Sequence, residues 1–340
     1  MDLSIVIVNW NSKEYLRKCL GSIVAETHGL EYEIIVIDSA SFDGCGEMLR
    51  AHFPEVRFVQ SEVNLGFAKA NNMAAENATG DVLLFLNPDT ELCGPAIAAM
   101  HRALSSLPDA GAVGAKLLNT DGTIQNSCVR AFPTIWNQVL DMETLRNRFP
   151  RWPIWGADPL YGESQEPQAV EAVSGACLMV ERQVFEDAGR FSEEYFMYSE
   201  DVDLCFKLRQ LNRRNYYVAS AVVVHHGGGS SQRCEVSAFS SVMMVESRWR
   251  FFIKTRSRVY CWLYRAAIFL LSVLRILAAA IAAMTGHLSE KRTRWDGVIQ
   301  KWGARLRWSI GLENWAHDYP GSPKDHGDKF KEGRPVTLAR

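Results

Sequence analysis

Short apolar runs alternate with amphipathic stretches along the first third of the chain. Strand-like runs rich in β-branched residues lie at residues 3–8, 33–37, 56–59 and 82–86, and helical periodicity covers residues 15–24, 44–52 and 67–77. This alternation is typical of βαβ units, in which helices cover both faces of a mostly parallel sheet. We therefore predict an α/β fold over residues 1–117, with ligands bound at the carboxyl ends of its strands.

The middle of the chain combines an irregular region with a return to regular structure. Residues 118–170 are rich in Pro, Trp and Gly and show little periodicity, and residues 119–122 (Asn-Thr-Asp-Gly) are typical of a tight turn. We expect loops here that contribute to a substrate cleft. Beyond them the pattern predicts a strand at 172–180, helices at 182–188 and 200–211, and a strand at 216–224.

The character of the chain changes after residue 245. Residues 246–310 carry 13 Lys and Arg against 3 acids, although the whole chain has a formal net charge of only −2. Residues 259–285 are strongly apolar, but their uncharged stretches of roughly ten residues are shorter than the ~20 that a spanning helix needs. Polar side chains recur on one stripe of this helix, at Arg258, Arg265, Ser272 and Arg275. An apolar helix with a basic stripe is typical of a segment that lies in the membrane interface.

These features divide the chain into three parts. Residues 1–245 are predicted to form the main domain, with halves at about 1–117 and 118–245, followed by a helical segment at 246–316 that meets an anionic membrane surface and a disordered tail at 317–340. The alternatives are that the apolar helix packs on the domain or that it spans the membrane. The eight cysteines show no C-x-x-C pair and no basic leader is visible, so we expect a reduced protein held peripherally on the cytoplasmic face.

Candidate metal ligands follow two of the predicted strands. Asp89 ends the run Asn-Pro-Asp at residues 87–89, and one carboxylate there suits Mg²⁺ or Mn²⁺ if the phosphates of a ligand supply other oxygens. A purely structural turn is the alternative, because the same residues are good turn formers. His225 and His226 precede a glycine run at 227–229, from which a histidine could reach a metal or a phosphate, although histidines at strand ends are commonly structural.

Two further stretches suit a nucleotide. Asp38 follows the strand at 33–37, where an acid can accept hydrogen bonds from a base or ribose, while its neighbours can cap the next helix. Gly66 opens the predicted helix at 67–77, whose free N–H groups would suit an anion. The pattern Gly-x-Gly-x-x-Gly is absent from the sequence, which argues against a dehydrogenase.

An acidic cluster opens the predicted helix at 200–211. Glu200, Asp201 and Asp203 come directly after the aromatic run at residues 195–198. The helix dipole favours acids in a first turn, which is the structural explanation. A carboxylate beside an aromatic surface could instead act as a general base on a hydroxyl group.

A series of motifs, in order along most of residues 3–255, resembles glycosyltransferase family 2 in its rhamnosyltransferase-like branch. The matching segments are residues 4–12, 36–44, 64–72, 87–89, 173–180, 196–204 and 225–230. In the second segment Ser39 stands where the family customarily has Asn. The resemblance implies a GT-A-type fold, which is a Rossmann-like mixed, mostly parallel sheet flanked by helices, here followed by the apolar and basic C-terminal helical segment.

The same resemblance implies a metal-dependent, inverting transfer of a sugar from a nucleoside diphosphate to a saccharide or lipid-linked acceptor, with dTDP-L-rhamnose the favoured donor. Asp201 would be the catalytic base and Asp38 would bind the nucleobase. Asp89 and His225 would hold the metal, with His226 as the alternative to His225. Other motif residues would support binding of the nucleotide (Asn9, Asn11, Asn64, Gly66, Asn71) or of the acceptor (Gly175, Glu200, Asp203).

Two other functions fit parts of the sequence. A sugar-nucleotide pyrophosphorylase also uses a Rossmann-like sheet and a metal, but it needs a Gly-rich, basic loop after the first strand, where residues 9–11 are Asn-Trp-Asn. A membrane-associated scaffold that binds sugar nucleotides without catalysis would have no need of Asp89, Asp201 and His225 together. The basic residues lie in an apolar helical context, so no nucleic-acid partner is expected.

Overall fold

The computed structural model describes residues 1–162, 164–227, 234–285, 289–313, 315–318 and 337–338. Within these ranges the strands are β1 (Leu3–Asn9), β2 (Tyr32–Ser39), β3 (Arg57–Ser61), β4 (Val82–Leu86), β5 (Thr90–Cys93), β6 (Ala110–Leu118), β7 (Val129–Arg130), β8 (Gln168–Val170), β9 (Ala172–Val173), β10 (Cys177–Glu181), β11 (Arg214–His225) and β12 (Thr337–Leu338). The helices are α1 (Lys13–Glu26), α2 (Cys45–His52), α3 (Gly66–Glu76), α4 (Ala96–Ser106), α5 (Ile135–Val139), α6 (Glu143–Arg148), α7 (Arg182–Asp187), α8 (Glu200–Gln210), α9 (Cys234–Thr255), α10 (Arg258–Thr285), α11 (Ser289–Ser309) and α12 (Trp315–Asp318), with short 3₁₀ helices at Pro153–Trp155 and Asp158–Tyr161.

One large mixed sheet organises these elements. Its order is β12, β3, β2, β1, β4, β10, β6, β11 and β5, with β8 also paired to β11. Strands β3, β2, β1 and β4 are parallel, as are β6 and β11, whereas β10 and β5 run antiparallel to their neighbours. The predicted mixed, mostly parallel sheet is confirmed.

The central strands are apolar along their whole length because helices cover both faces of the sheet. Successive side chains of a strand point to opposite faces. Ile5 and Ile7 of β1 therefore pack in one core with α1 and α4, while Val6 packs in a second core with α3 and α8. This burial fixes the register of β1 against β2, which sets Asn9 beside Asp38.

The predicted elements of the first 90 residues form within a few residues of their expected bounds. The irregular character of residues 118–170 is also confirmed, since short strands and short helices occupy it in the described part of the chain. In the predicted tight turn, the N–H of Gly122 donates to the Asn119 carbonyl oxygen at 2.9 Å, and Gly122 has a φ of 82°. Helix α4 and strands β5 and β6 had no individual prediction.

The C-terminal helices pack on the domain. Helix α9 is continuous across residue 245, and Phe251, Phe252, Tyr264 and Trp308 belong to the same core as α3. The predicted tail at 317–340 lies outside the described residues apart from 317–318 and 337–338. Cys19, Cys45, Cys93, Cys128, Cys177, Cys205 and Cys261 are free thiols, and of these all but Cys93 are buried.

Most of the polar stripe of α10 faces inward, opposite to the sequence interpretation, although Arg258 at the start of the helix is exposed. Arg265 donates from Nη2 to the Trp308 carbonyl oxygen at 2.7 Å, Ser272 is fully buried, and Arg275 lies over the ring of Trp302. The tryptophans of α11 explain this orientation, because they offer ring faces that attract guanidinium groups. Most of the exposed residues of α10 are instead apolar, and they form an apolar stripe that includes Val259, Leu263, Leu270, Leu274, Leu277 and Ile281. By length and composition alone, Arg258–Ala282 could cross a membrane.

Candidate active site

The ends of β1 and β2 form a hydrogen-bonded pair of polar side chains. Asn9 donates from Nδ2 to Asp38 Oδ1 at 2.7 Å, and Gln60 donates from Nε2 to Asp38 Oδ2 at 2.6 Å. Burial by itself would raise the pKa of Asp38, but hydrogen bonds from Ser41, Gln60 and Asn9 outweigh burial and lower it. Asp38 is therefore a charged carboxylate that organises residues 39–43. Asn9 Oδ1 is buried with no hydrogen-bond partner among the described residues, which leaves an acceptor at this strand end.

Asp38, Asp43 and Cys45 form a compact group of side chains near this pair. Their ligand atoms lie within 4.8 Å of one another. However, Asp43 already accepts hydrogen bonds from the N–H groups of Lys13 and Cys45, at 2.9 and 3.0 Å. Burial raises the pKa of the Cys45 thiol far above its ordinary range, so the thiol stays protonated. This group therefore fits a role in shaping the loop better than it fits a metal site.

Asn11 and Asn64 lie in loops at the same edge of the sheet. Asn11 is exposed and has a left-handed backbone, with a φ of 51°. Asn64 Oδ1 accepts hydrogen bonds from the Gly66 N–H at 3.0 Å and from the Ser39 hydroxyl at 3.2 Å. Ser39, in place of the customary Asn, thus ties the loop after β2 to the loop before α3.

The N-terminus of α3 does not present the free N–H groups that the sequence suggested. The N–H groups of Leu65, Gly66 and Phe67 donate to Ser39 Oγ, Asn64 Oδ1 and the Phe196 carbonyl oxygen respectively. Gly66 has a φ of 70°, and a Cβ there would lie 2.4 Å from the Phe196 oxygen, so only glycine allows this close approach. The anion site is therefore corrected to a docking point between α3 and the loop before α8. Asn71 is buried and donates to the Phe67 carbonyl oxygen of its own helix.

Asp89 and His225 come together because β5 pairs antiparallel with the end of β11. Thr90 lies opposite His225 in this register, and the His226 N–H donates to the Asp89 carbonyl oxygen at 2.9 Å. Asp89 Oδ1 then lies 3.3 Å from His225 Nε2. The His226 ring lies instead 2.6 Å from Glu91 Oε1, so it is His225 that faces Asp89.

A glutamine fixes the orientation of the His225 ring. Gln125 donates from Nε2 to the His225 carbonyl oxygen at 2.6 Å, and its Oε1 lies 2.9 Å from His225 Nδ1. Because Oε1 can only accept, Nδ1 carries a proton. Nε2 is then directed at Asp89, either as a proton donor or as the ligand of a cation that lies between them. This second contact of the ring is the usual arrangement of a metal-binding histidine.

Asp201 is held in the first turn of α8 by contacts from two other elements. Its Oδ2 accepts a hydrogen bond from the Gly175 N–H at 2.9 Å and lies 3.9 Å from Arg130 Nη2. A Cβ at Gly175 would lie 3.2 Å from the Asp201 Cβ, so glycine permits the approach. Asp201 is 5 % exposed, at the boundary between the domain core and the loops of residues 118–170.

The two neighbouring acids differ from Asp201 in their surroundings. Burial, and then the charge of Asp201, raise the pKa of Glu200 to about 8, and Glu200 Oε2 has no hydrogen-bond partner among the described residues. Asp203 is buried and accepts from Ser192 Oγ at 2.6 Å and from Lys254 Nζ at 2.8 Å. Asp203 therefore joins α8 to α9. These contacts stabilise the fold and do not involve a ligand.

Several residues at this site carry no recognisable sequence signal. They are Gln125, Arg130, and Arg248, which donates to Ser199 Oγ. Asn87, 3.3 Å from His225 Nε2, belongs to the Asn-Pro-Asp run but had no predicted role. Gln125 and Arg130 lie in the irregular region, and Arg248 lies on α9. Only the tertiary structure brings them to the site.

Comparison with known proteins identifies the class of this site. The family model "Glycosyl transferase family 2" matches residues 4–159. The N-acetylglucosaminyl-diphospho-decaprenol L-rhamnosyltransferase of Mycobacterium tuberculosis is 31 % identical over 220 residues, which cover 59 % of this chain and 68 % of that protein. Rhamnosyltransferase WbbL of Escherichia coli is 23 % identical over 222 residues, which cover 63 % of this chain and 79 % of that protein.

A solved structure agrees with this comparison at the level of the fold. The mannosyltransferase PcManGT from Pyrobaculum calidifontis, in complex with GDP-Man and Mn²⁺, has a TM-score of 0.56 at 16 % identity and covers 91 % of this chain and 86 % of its own. The GT-A-type fold is thereby confirmed. The chain belongs to glycosyltransferase family 2, in its rhamnosyltransferase-like branch.

Proposed function

We propose that this glycosyltransferase moves L-rhamnose from dTDP-L-rhamnose to a hydroxyl of a lipid-linked saccharide, with inversion of the anomeric centre. The observation that carries the proposal is the 3.3 Å approach of the Asp89 carboxylate to His225 Nε2 at the ends of β4 and β11. The rhamnosyl donor and the lipid-linked acceptor are supported by the rhamnosyltransferases among the relatives.

The side chains at the ends of β4 and β11 fit a divalent metal. Asp89 offers oxygen and His225 offers nitrogen from a ring whose other nitrogen is bound to Gln125. The nitrogen ligand makes Mn²⁺ a better fit than Mg²⁺, which prefers oxygen ligands throughout. When bound there, the ion neutralises charge on the diphosphate of the donor as this group leaves. Asn9, with its free acceptor oxygen, and the loop shaped by Asp38 would receive the base.

Asp201 is the proposed general base. The Gly175 N–H and Arg130 hold its carboxylate in one orientation, so it is positioned before the acceptor arrives. Asp201 would remove the proton of the attacking hydroxyl on the side of the sugar away from the leaving diphosphate. This arrangement suits a single displacement, which inverts the anomeric centre. A positioned general base contributes ~10²–10⁴ in rate.

The apolar stripe of α10 is the proposed contact with a membrane. Arg265 and Arg275 are engaged by α11, so the helix stays packed along the domain and presents only its outer, apolar face. A helix in this arrangement lies along the bilayer surface, where its leucines enter the acyl boundary. The net positive charge of residues 246–310 favours an anionic, cytoplasmic surface. The protein would thus meet its acceptor at the membrane as a peripheral enzyme.

Calorimetric titration with dTDP, UDP and GDP, each with and without Mn²⁺, tests this function. We expect Mn²⁺-dependent binding of dTDP, because Asp89 and His225 act on the diphosphate through the ion. His225→Ala should remove the dependence on Mn²⁺, whereas the matched variant His226→Ala, whose ring is bound to Glu91, should retain it. Absence of nucleotide binding in the presence of Mn²⁺ would contradict the proposal.

A further inference from the structure

A cavity of about 390 Å³ lies between the C-terminal helices and the loops that precede α6 and α8. Four basic side chains line it, from three different helices: Arg248 of α9, Arg275 of α10, and Lys301 and Arg305 of α11. We name this space the basic cavity. Its remaining wall includes apolar side chains of α9 and α10, among them Val245 and Ile268.

Acids offset only part of the positive charge of the basic cavity, through the charge of Asp141. Asp141 is the one acid among the lining residues, and its Oδ1 is 2.5 Å from Arg146 Nε. Within the described residues, no ion pair joins an acid to any of the four cations. Their contacts are with neutral groups: Arg248 Nε donates to Gln138 Oε1 at 2.9 Å and Arg305 Nε donates to Ser241 Oγ at 2.6 Å.

Holding these cations together is unfavourable unless an anion enters. Burial lowers the pKa of Lys301, and the charge of Arg305 lowers it further. Arg305 and Arg275 both lie over the ring of Trp302, at 4.6 and 5.7 Å, and all three residues line the cavity. Partly buried like charges that converge on a cavity are the arrangement by which proteins bind phosphate groups.

The position of the basic cavity indicates which phosphate it receives. Arg248 donates to Ser199, which lies two residues before Asp201, so the cavity adjoins the proposed base on its acceptor side. The donor diphosphate is proposed to bind elsewhere, at Asp89 and His225. A ligand in the cavity therefore lies between the turn that carries the proposed base and α10, whose outer face carries the apolar stripe.

We propose that the basic cavity binds the diphosphate that joins the saccharide of the acceptor to its lipid. The cavity would hold the diphosphate, the sugar would extend toward Asp201, and the lipid would leave along α10. This inference rests on the proposed function, since it specifies the acceptor of that reaction. It assigns binding of the acceptor to Arg248, Arg275, Lys301 and Arg305.

The test is calorimetric binding of farnesyl diphosphate to the full chain in detergent with EDTA, so that a metal-dependent donor site does not contribute. We expect the double variant Lys301→Gln/Arg305→Gln to bind at least about tenfold more weakly, because charge-assisted hydrogen bonds are lost. Arg307→Gln is the matched control. Arg307 is a half-exposed arginine of the same helix that pairs with Glu313, and its loss should leave binding unchanged.

Three further measurements make the outcome specific. Inorganic diphosphate should show the same sensitivity to the double variant, whereas farnesol should show none. Thermal unfolding of the double variant without ligand should occur at an equal or higher temperature, because repulsion is relieved; a merely structural role of the two cations predicts a lower one. The double variant should still bind dTDP in the presence of Mn²⁺. If the unchanged chain itself does not bind dTDP with Mn²⁺, that result contradicts the proposed function but not the assignment of the basic cavity.

Two results would overturn the inference. One is equal affinity of the unchanged chain and the double variant for farnesyl diphosphate. The other is a double variant that binds phosphatidylglycerol vesicles more weakly but farnesyl diphosphate as well as the unchanged chain does. Lys301 and Arg305 would then recognise a membrane headgroup and not the acceptor.

Discussion

Glu200 and Asp201 are adjacent in sequence, yet the fold gives them different surroundings. Asp201 receives a hydrogen bond from Gly175 and lies near Arg130, both of which stabilise a carboxylate. Glu200 is buried, and one of its oxygens has no partner in the described chain. Because burial raises the pKa of Glu200 to about 8, Glu200 keeps its proton at neutral pH and cannot accept another. This contrast favours Asp201 for proton removal.

The same contrast predicts how stability depends on pH. The unfolded chain releases the Glu200 proton near pH 4.5, but burial raises the folded pKa to about 8, so the folded state binds more protons between these values. Stability contributed by this group therefore falls as pH rises from 4.5 to 8. Glu200→Gln should remove this contribution, which is at most about 1.4 kcal/mol per pH unit.

Urea unfolding at several pH values between 5 and 8 measures this difference. The free energy of unfolding should fall less steeply with pH in Glu200→Gln than in the unchanged chain. Parallel curves for the two proteins would mean that Glu200 is already ionised in the folded state at neutral pH.

Sequence patterns pointed to some residues of the candidate site and not to others, for a physical reason. Asp89, Asp201 and His225 lie where a strand ends or a helix begins, and local periodicity marks these places. Gln125 and Arg130 come from a region without periodicity, so their contacts with His225 and Asp201 depend on tertiary packing. The choice between the two histidines likewise depended on the pairing of β5 with β11, which is not a local property.

Among the individual elements, α10 shows that a periodic pattern can predict a helix without predicting which of its faces packs on the domain. Periodicity correctly predicted a helix with its polar residues on one stripe. It did not show which side faces the domain, because Arg265 and Arg275 contact tryptophans of α11 that lie more than 25 residues further along the chain. The apolar side therefore became the exposed one.

This orientation predicts the effect of charge on the apolar stripe. Leu270→Glu/Leu274→Glu should reduce co-sedimentation with phosphatidylglycerol vesicles by about tenfold or more, because each buried leucine contributes roughly 1.5–3 kcal/mol. Both leucines are exposed, so the fold should tolerate the change. Val24→Glu/Leu211→Glu is a matched control, since it changes two exposed apolar residues elsewhere, one in α1 and one directly after α8.

Co-sedimentation that is unchanged in the α10 variant would contradict membrane contact through this stripe. Extraction with alkaline carbonate separates the remaining alternatives. A peripheral protein should be released, whereas retention in the membrane pellet would favour a helix that spans the bilayer.

At the scale of the whole molecule, the sheet brings the parts of the site together. The parallel order of β1 to β4 follows from the alternation of strands and helices, and the sequence predicted it. The insertion of antiparallel β10 between β4 and β6, and of β5 beside β11, joins strands that are far apart in the chain. These long-range pairings set Asp89 beside His225 and Gly175 beside Asp201, and no local pattern predicts them.

A single-turnover assay would show whether the enzyme transfers rhamnose from dTDP-L-rhamnose with Asp201 as the base. The acceptor would be a short-chain N-acetylglucosaminyl-diphospho-prenol, with dTDP binding measured on the same preparations. Asp201→Asn should slow transfer by ~10²–10⁴ and leave dTDP affinity unchanged, while Glu200→Gln, which replaces a neutral carboxyl, should lose far less. Near-normal transfer by Asp201→Asn, or retention of anomeric configuration in the product, would contradict the account.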